Sequence, residues 1–175
     1  MSYDDWDWLL GVNLGGMING VVTFVPRLKA RGGGHIVNTA SMMGLIASPG
    51  WGAYATSKFA AVGMSEALRI DLAPYGIGVS VLCPGLVATN LLNSAQSRLG
   101  SAETGPDQGV AALKSLKPGE AIEPRVVGER VAEAIAANQP YICTHPEYYE
   151  AVAERYGQVL EALRPYAPAI TARVD

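Results

Sequence analysis

The sequence predicts an α/β fold, with a doubly wound parallel sheet of about three strands and flanking helices. Segments with helical spacing alternate with short strand-like runs along the chain, the order that gives parallel strands joined by right-handed helical crossovers. The strand-like runs at 35–40 and 79–83 are short, β-rich and made of apolar or small residues, as buried strands are. The segments stop at glycine or proline: Gly32-Gly33-Gly34, Gly76 and Pro84-Gly85.

Taken in order, Ser2 followed by Asp5 resembles an N-capping pattern. Trp6, Leu9, Leu10 and Asn13 then repeat at helical spacing, and Ile18, Val21, Val22, Val25 and Leu28 continue the pattern up to Gly32. One long helix follows, with Gly15-Gly16 allowing a bend or close packing. A second helix is predicted over 54–75, with Gly76 where a C-terminal cap belongs. Between 88 and 124 the periodicity dissolves into Ser, Gly, Gln and Pro, and a stretch that long reads as a functional lid. Helix returns over 126–138, a third short strand over 141–144, and an amphipathic helix over 147–163 with Tyr149, Val152, Tyr156, Val159 and Leu163 on one stripe. The 175 residues thus form one domain: a catalytic core at 1–87, a substrate lid at 88–124 and a C-terminal helix–strand–helix at 125–175.

Composition narrows the function. A hydrophobic share of 49% with 17% charged residues is enough apolar material for a core. Net charge is −3 and the basic residues are scattered, so neither nucleic acid nor an anionic membrane is expected as a partner. No apolar run is read as a membrane span, and the polar, acidic start is unlike a signal peptide. Cys83 and Cys143 are the only cysteines and read as reduced thiols, which together with the rest suggests a cytoplasmic protein. Cys83, Cys143 and His145 do not make a zinc set, so no metal is expected. His35 and His145 read as surface or loop residues.

The chemistry concentrates near the ends of the first two strands. Tyr54 and Lys58 are four residues apart at a helix start and share one face. Ser41 lies just past the preceding strand, thirteen residues before Tyr54. Ligands of an open α/β sheet bind at the carboxyl ends of its strands, so a hydroxyl, a phenol and an ammonium are expected at one rim. A free tyrosine, with a pKa near ~10, is a poor base at neutral pH, and an ammonium within about 4–6 Å lowers that value. Ser41 would hydrogen-bond the substrate oxygen while Tyr54 moves the proton. Trp51, Met42 and Met43 flank this loop and either line an apolar substrate pocket or pack in the core. A hydrolase nucleophile at Ser41 is disfavoured because Gly-x-Ser-x-Gly is absent.

Ser41, twelve residues, then Tyr54-Ala55-Thr56-Ser57-Lys58 resembles the active-site signature of the short-chain dehydrogenase/reductase family. Asn13 in Val12-Asn13-Leu14 matches the family's helix asparagine, which the resemblance implies holds a water linking the lysine to solvent. The 34–38 run resembles the strand leading to the serine. Pro84-Gly85-Leu86-Val87-Ala88-Thr89 is similar to the segment that contacts the nicotinamide, so the resemblance gives Pro84, Gly85, Val87 and Thr89 a cofactor-binding role beside Tyr54 and Lys58. Ser41, Met43, Trp51 and Tyr54 are the candidate substrate contacts.

The resemblance implies a partial Rossmann-like fold, NAD or NADP as cofactor, and hydride exchange with a secondary alcohol or ketone, with Asn13, Ser41, Tyr54 and Lys58 catalytic. It also implies a homodimer or homotetramer through the two long helices. The family's Gly-x-Gly-x-x-Gly turn, whose helix N-terminus binds pyrophosphate, has no counterpart in the sequence, so the N-terminal cofactor-binding half is expected to be missing. Two alternatives follow: a truncated, inactive fragment that acts through association with another chain, or a gene start lying upstream.

Overall fold

The computed structural model describes residues 2–89 and 121–166. The chain begins with helix α1 (Tyr3–Leu10), capped by Ser2, whose hydroxyl accepts from the Asp5 amide while the Asp5 carboxylate accepts from the Ser2 amide. That is the expected capping box. The predicted long helix is interrupted at Gly11–Gly15 by a π-helical turn and resumes as α2 (Gly16–Arg31), which ends at Gly32 with φ +87°. Strand β1 (Gly34–Thr39) leads to a 3-10 turn at Met42–Gly44, and α3 (Gly52–Leu72) leads through a second 3-10 turn to Gly76 at φ +66°. A left-handed residue is what the chain needs to leave a helix sharply, and glycine adopts it without a Cβ clash. Then come β2 (Ile77–Cys83), α4 (Pro124–Ala136) and β3 (Tyr141–Cys143).

The sheet is parallel throughout, in the order β1-β2-β3, with Gly34 opposite Ile77 and Val81 opposite Tyr141. Side chains alternate between the faces of a strand, and two clusters divide accordingly. On one face Ile77 and Val79 pack with Leu72, Leu68, Val25, Leu28 and Ile36, covered by α2 and α3. On the other, Leu82 and Ile142 pack with Val127, Ala134 and Val37, covered by α4. Helices lie on both faces, as a doubly wound sheet requires.

This arrangement corrects the expected handedness. With β1, β2 and β3 running in one lateral direction and α3 and α4 on opposite faces, the two crossovers have opposite hands. The preference for right-handed connections reflects a helix packing straight back onto its sheet. The connection between β2 and α4 is long enough to reach round to the other face. Most of the expected lid, residues 90–120, lies outside the described residues; its two ends meet where Val87 forms a parallel bridge with Ile122.

A second correction concerns the N-terminal helical stretch. Tyr3–Arg31 is 29 residues long with a most apolar window of mean hydropathy 1.5, enough by length and composition alone to cross a membrane. Small residues such as Gly15, Gly16 and Gly20 interrupt the apolar ones, so no continuous apolar run is visible. Val25 and Leu28 of this stretch pack against the sheet.

Polar groups between the layers are paired. The Asn38 side-chain amide donates to the Ser65 hydroxyl at 3.0 Å, and that hydroxyl donates to the Ala61 carbonyl at 2.7 Å. Arg69 donates to the Val79 carbonyl at 2.6 Å and to the Asn138 carbonyl at 2.6 Å, tying α3 to β2 and to the turn after α4. His35 belongs to β1, not to a loop. The Ser80 hydroxyl donates to the Gln139 carbonyl, so the His35 ring donates to Ser80 through Nε2 at 2.8 Å. Cys83 and Cys143 are free and stand opposite each other on β2 and β3.

Residues 146–166 belong to a separate unit. It consists of a 3-10 turn at Pro146–Tyr148, helix α5 (Tyr149–Leu163) and a closing 3-10 turn at Arg164–Tyr166. Of the expected apolar stripe, Tyr149, Tyr156, Val159 and Leu163 are exposed.

Candidate active site

Strands β1 and β2 end side by side, and the chain leaving each is tied to the other. The Ala40 amide donates to the Leu82 carbonyl at 2.7 Å and the Met42 amide to the Pro84 carbonyl at 2.9 Å. Ser41, between them, is extended and buried; its hydroxyl accepts from the Met43 amide at 3.2 Å and lies 3.4 Å from the Pro84 carbonyl. The turn that follows rests on α3, with Met42 buried and Met43 half-buried. Met42 therefore belongs to the core.

Tyr54 and Lys58 lie one turn apart on α3, as the spacing predicts. Lys58 is 9% exposed, and its ammonium donates to the Thr39 carbonyl at 3.1 Å and sits 5.6 Å from the centre of the Tyr54 ring. The Ser41 hydroxyl lies near enough to the Tyr54 phenol to favour its anion. Trp51 packs edge-on against Tyr54, with ring centres 5.4 Å apart. The hydroxyl, the phenol and the ammonium thus meet at the carboxyl ends of β1 and β2.

The protonation balance differs from the expectation. Burial pushes the Tyr54 phenol above its ordinary value, opposed by the nearby Ser41 hydroxyl, and burial likewise pulls Lys58 below its own. Low dielectric disfavours both charges, and for Tyr54 that outweighs the opposing effect of the Ser41 hydroxyl. The phenol is therefore protonated at neutral pH, with Ser41 the group that favours its anion.

Asn13 sits in the π-helical turn, which packs with α1 against α3. π-turns inside helices concentrate at functional sites because they re-aim a side chain. The Asn13 amide donates to the Ser57 hydroxyl at 3.1 Å, and that hydroxyl donates to the Tyr54 carbonyl at 2.7 Å. Ser57 reads in the sequence as a small helix-surface residue; it is 0% exposed and joins the asparagine to the helix that carries Tyr54 and Lys58. Its neighbour Thr56 donates to the Gly52 carbonyl at 2.8 Å.

The 84–89 segment passes beside this group. Pro84 and Gly85 are half-buried and Thr89 is exposed. Val87 turns its side chain onto the core cluster of Leu82 and Ile142, leaving its backbone toward the bridge with Ile122. His145 lies in the loop after β3, as expected, but not at the surface: it is 4% exposed and its ring touches this segment, hydrogen-bonded to Gly85 and Leu86. No motif pointed to it, since an isolated histidine after a short strand carries no signal of burial.

Residues 1–100 match the family model for short chain dehydrogenase. The chain belongs to the short-chain dehydrogenase family. It is 36% identical over 171 residues to a C alpha-dehydrogenase of Sphingobium, a match covering 94% of this chain and 55% of that protein. Among solved structures, a short-chain dehydrogenase from Novosphingobium aromaticivorans is 43% identical, with a TM-score of 0.72, over 92% of this chain and 51% of that one. A short-chain dehydrogenase/reductase from Burkholderia phymatum, in complex with NAD, is 33% identical with a TM-score of 0.84, over 93% and 61%. The chain spans about half the length of these family members, between 51% and 61%.

Proposed function

We propose that this chain carries the proton-transfer machinery of an NAD- or NADP-dependent oxidoreductase acting on a secondary alcohol or ketone. The observation that supports this most is the meeting of Ser41, Tyr54 and Lys58 at the carboxyl ends of β1 and β2, with the Lys58 ammonium 5.6 Å from the centre of the Tyr54 ring and bonded to the Thr39 carbonyl. In this reading Tyr54 gives the proton to a carbonyl oxygen or takes it from a carbinol. Ser41 holds the substrate oxygen against the phenol, and Lys58 stabilises the phenolate. Asn13 acts through Ser57 to fix the helix bearing Tyr54 and Lys58. Met43 and Trp51 provide apolar contact for the substrate beside Tyr54.

The side chains fit the nicotinamide end of such a cofactor. A polar rim of Tyr54 and Lys58 faces the glycine-containing 84–85 turn, where backbone can approach closely, and Val87 and Thr89 extend it. NAD or NADP, when bound, supplies a ring carbon that accepts or returns hydride. Binding of NADH or NADPH to the full chain, followed by the change in nicotinamide fluorescence, tests the reading. Saturation at or below millimolar cofactor is the expected result, and a flat titration rejects it.

The direction of the Tyr54 shift sets a pH dependence. Carbonyl reduction needs the protonated phenol, so its rate stays level through neutral pH and falls only above about 10, the ordinary tyrosine value that burial raises further. Alcohol oxidation needs the phenolate, so it rises with pH from about 7 toward 10. Lys58, held below its ordinary value by burial, gives up its charge sooner than a free lysine would and so limits the rise. An oxidation rate that stays flat or falls from about pH 7 to 9 contradicts this assignment.

A second reading has its own support. Val22 and Phe24 on α2 and Ile70 on α3 are 68%, 54% and 76% exposed, and among the described residues β1 has a strand on one side only. Apolar helix faces and an open strand edge favour association, whether as a homodimer, a homotetramer or with another chain. Light scattering after size exclusion is expected to give a multiple of the 18.4 kDa chain mass, and a monomer at micromolar concentration removes this reading.

A further inference from the structure

Strand β3 ends at Cys143, and the next two residues turn inward: Thr144 is 1% exposed and His145 4%. The imidazole lies against the 84–86 backbone and meets it twice. The Gly85 amide donates to Nδ1 at 2.9 Å, and Nε2 lies 2.9 Å from the Leu86 carbonyl oxygen. An amide N–H only donates and a carbonyl only accepts, so two consecutive backbone groups dictate the ring's protonation. Nδ1 carries the lone pair and Nε2 the hydrogen. The Thr144 hydroxyl, 2.8 Å from the same Nδ1, then also donates to it. Arg130 of α4 donates to the Thr144 carbonyl at 2.5 Å, so the histidine's own backbone is held from the opposite side.

The same segment is held on its other flank by the serine turn, through the Met42 amide and the Ser41 hydroxyl on the Pro84 carbonyl. Residues 84–86 are therefore gripped between the turn carrying Ser41 and a buried neutral imidazole from β3. Leu86 has its carbonyl oxygen shared between His145 and the Ile122 amide at 3.1 Å, which leaves the segment little freedom to slide. Side chains that define such a height do so through directional bonds, and a hydrophobic replacement of similar size cannot reproduce them.

We propose that His145 is a positioning residue: its neutral Nε2–H imidazole sets the height of the 84–87 segment relative to Ser41 and Tyr54, and so the seat of the nicotinamide ring. This rests on the functional reading above for what occupies the seat, while the grip itself does not. Two measurements on the full chain separate the parts. In the nitrogen spectrum of the chain labelled at its histidine ring nitrogens, His145 is expected to show a bare Nδ1 and a protonated Nε2 at neutral pH. A protonated Nδ1 overturns the proposal.

In NADH titrations, His145→Phe, which fills the volume without the bonds, is expected to weaken binding about tenfold. His145→Gln, whose amide can donate to Leu86, and His145→Asn, whose oxygen can accept from Gly85, are each expected to recover part of the loss. The KM for the nicotinamide cofactor should move more than that for the alcohol or ketone. Phe as tight as wild type, or Gln and Asn no better than Phe, overturns the positioning role. A wild-type chain that binds no cofactor rejects the functional reading instead, and the tautomer spectrum tells that failure apart because it needs no ligand.

Discussion

Tyr54→Phe is expected to lower turnover by about 10²- to 10⁴-fold, the contribution of a positioned acid–base group, while leaving the fold near wild type. The substitution removes one oxygen. The Ser41 hydroxyl beside it keeps its bonds to the Pro84 carbonyl and the Met43 amide, so no buried polar group is stranded. The ring stays, and with it the edge contact to Trp51 and the position 5.6 Å from the Lys58 ammonium. A loss of turnover with the melting temperature held is the signature of missing proton transfer. If the Phe variant keeps more than about a tenth of the wild-type rate, Tyr54 is not the acid–base group.

Gly44→Ala is expected to damage stability and activity together. A Cβ at position 44 would stand 2.6 Å from the Lys58 carbonyl oxygen and 3.0 Å from a Val62 methyl. The first neighbour is helix backbone and cannot swing aside. Either the turn holding Ser41 or the helix holding Tyr54 and Lys58 must move, which separates the three groups. Replacing glycine with alanine stiffens the unfolded chain and by itself stabilises by about 0.4–1 kcal/mol. Overpacking against fixed backbone costs about 1–3 kcal/mol, so the net sign is destabilising. The melting temperature is expected to fall by several degrees and kcat/KM by about tenfold or more, since small misplacements cost catalysis heavily. A Gly44→Ala chain with wild-type melting temperature and kcat/KM would show that the turn does not need this close approach.

Much of the architecture was legible because it rests on short-range rules. The capping box at Ser2 and Asp5, the stops at Gly32 and Gly76, and the three strands all fall where local spacing puts them. Tyr54 and Lys58 share a face because both lie on one helix, a matter of periodicity alone. The interruption at Gly11–Gly15 was only half legible: the glycines signalled a bend, while a π-turn presenting Asn13 depends on how α1 packs against α3. Ser57 and His145 were misread for one reason. Their burial comes from contacts with residues 44 and 60 positions away, which composition and period do not encode. The Tyr54 shift was misread in sign because proximity of charges can be guessed from spacing, whereas the depth of burial that opposes it cannot.

By itself the sequence determined the element order, the parallel sheet and the residues able to move a proton, since each follows from local periodicity, strand patterning and side-chain chemistry. Only the tertiary structure decided which groups face one another across the sheet. It sets α4 on the face opposite α3, carries Lys58 to the Thr39 carbonyl, and buries His145 beneath Gly85 and Leu86. Those outcomes depend on the register of β1, β2 and β3 and on the dielectric that packing creates, and both arise when distant segments exclude water together.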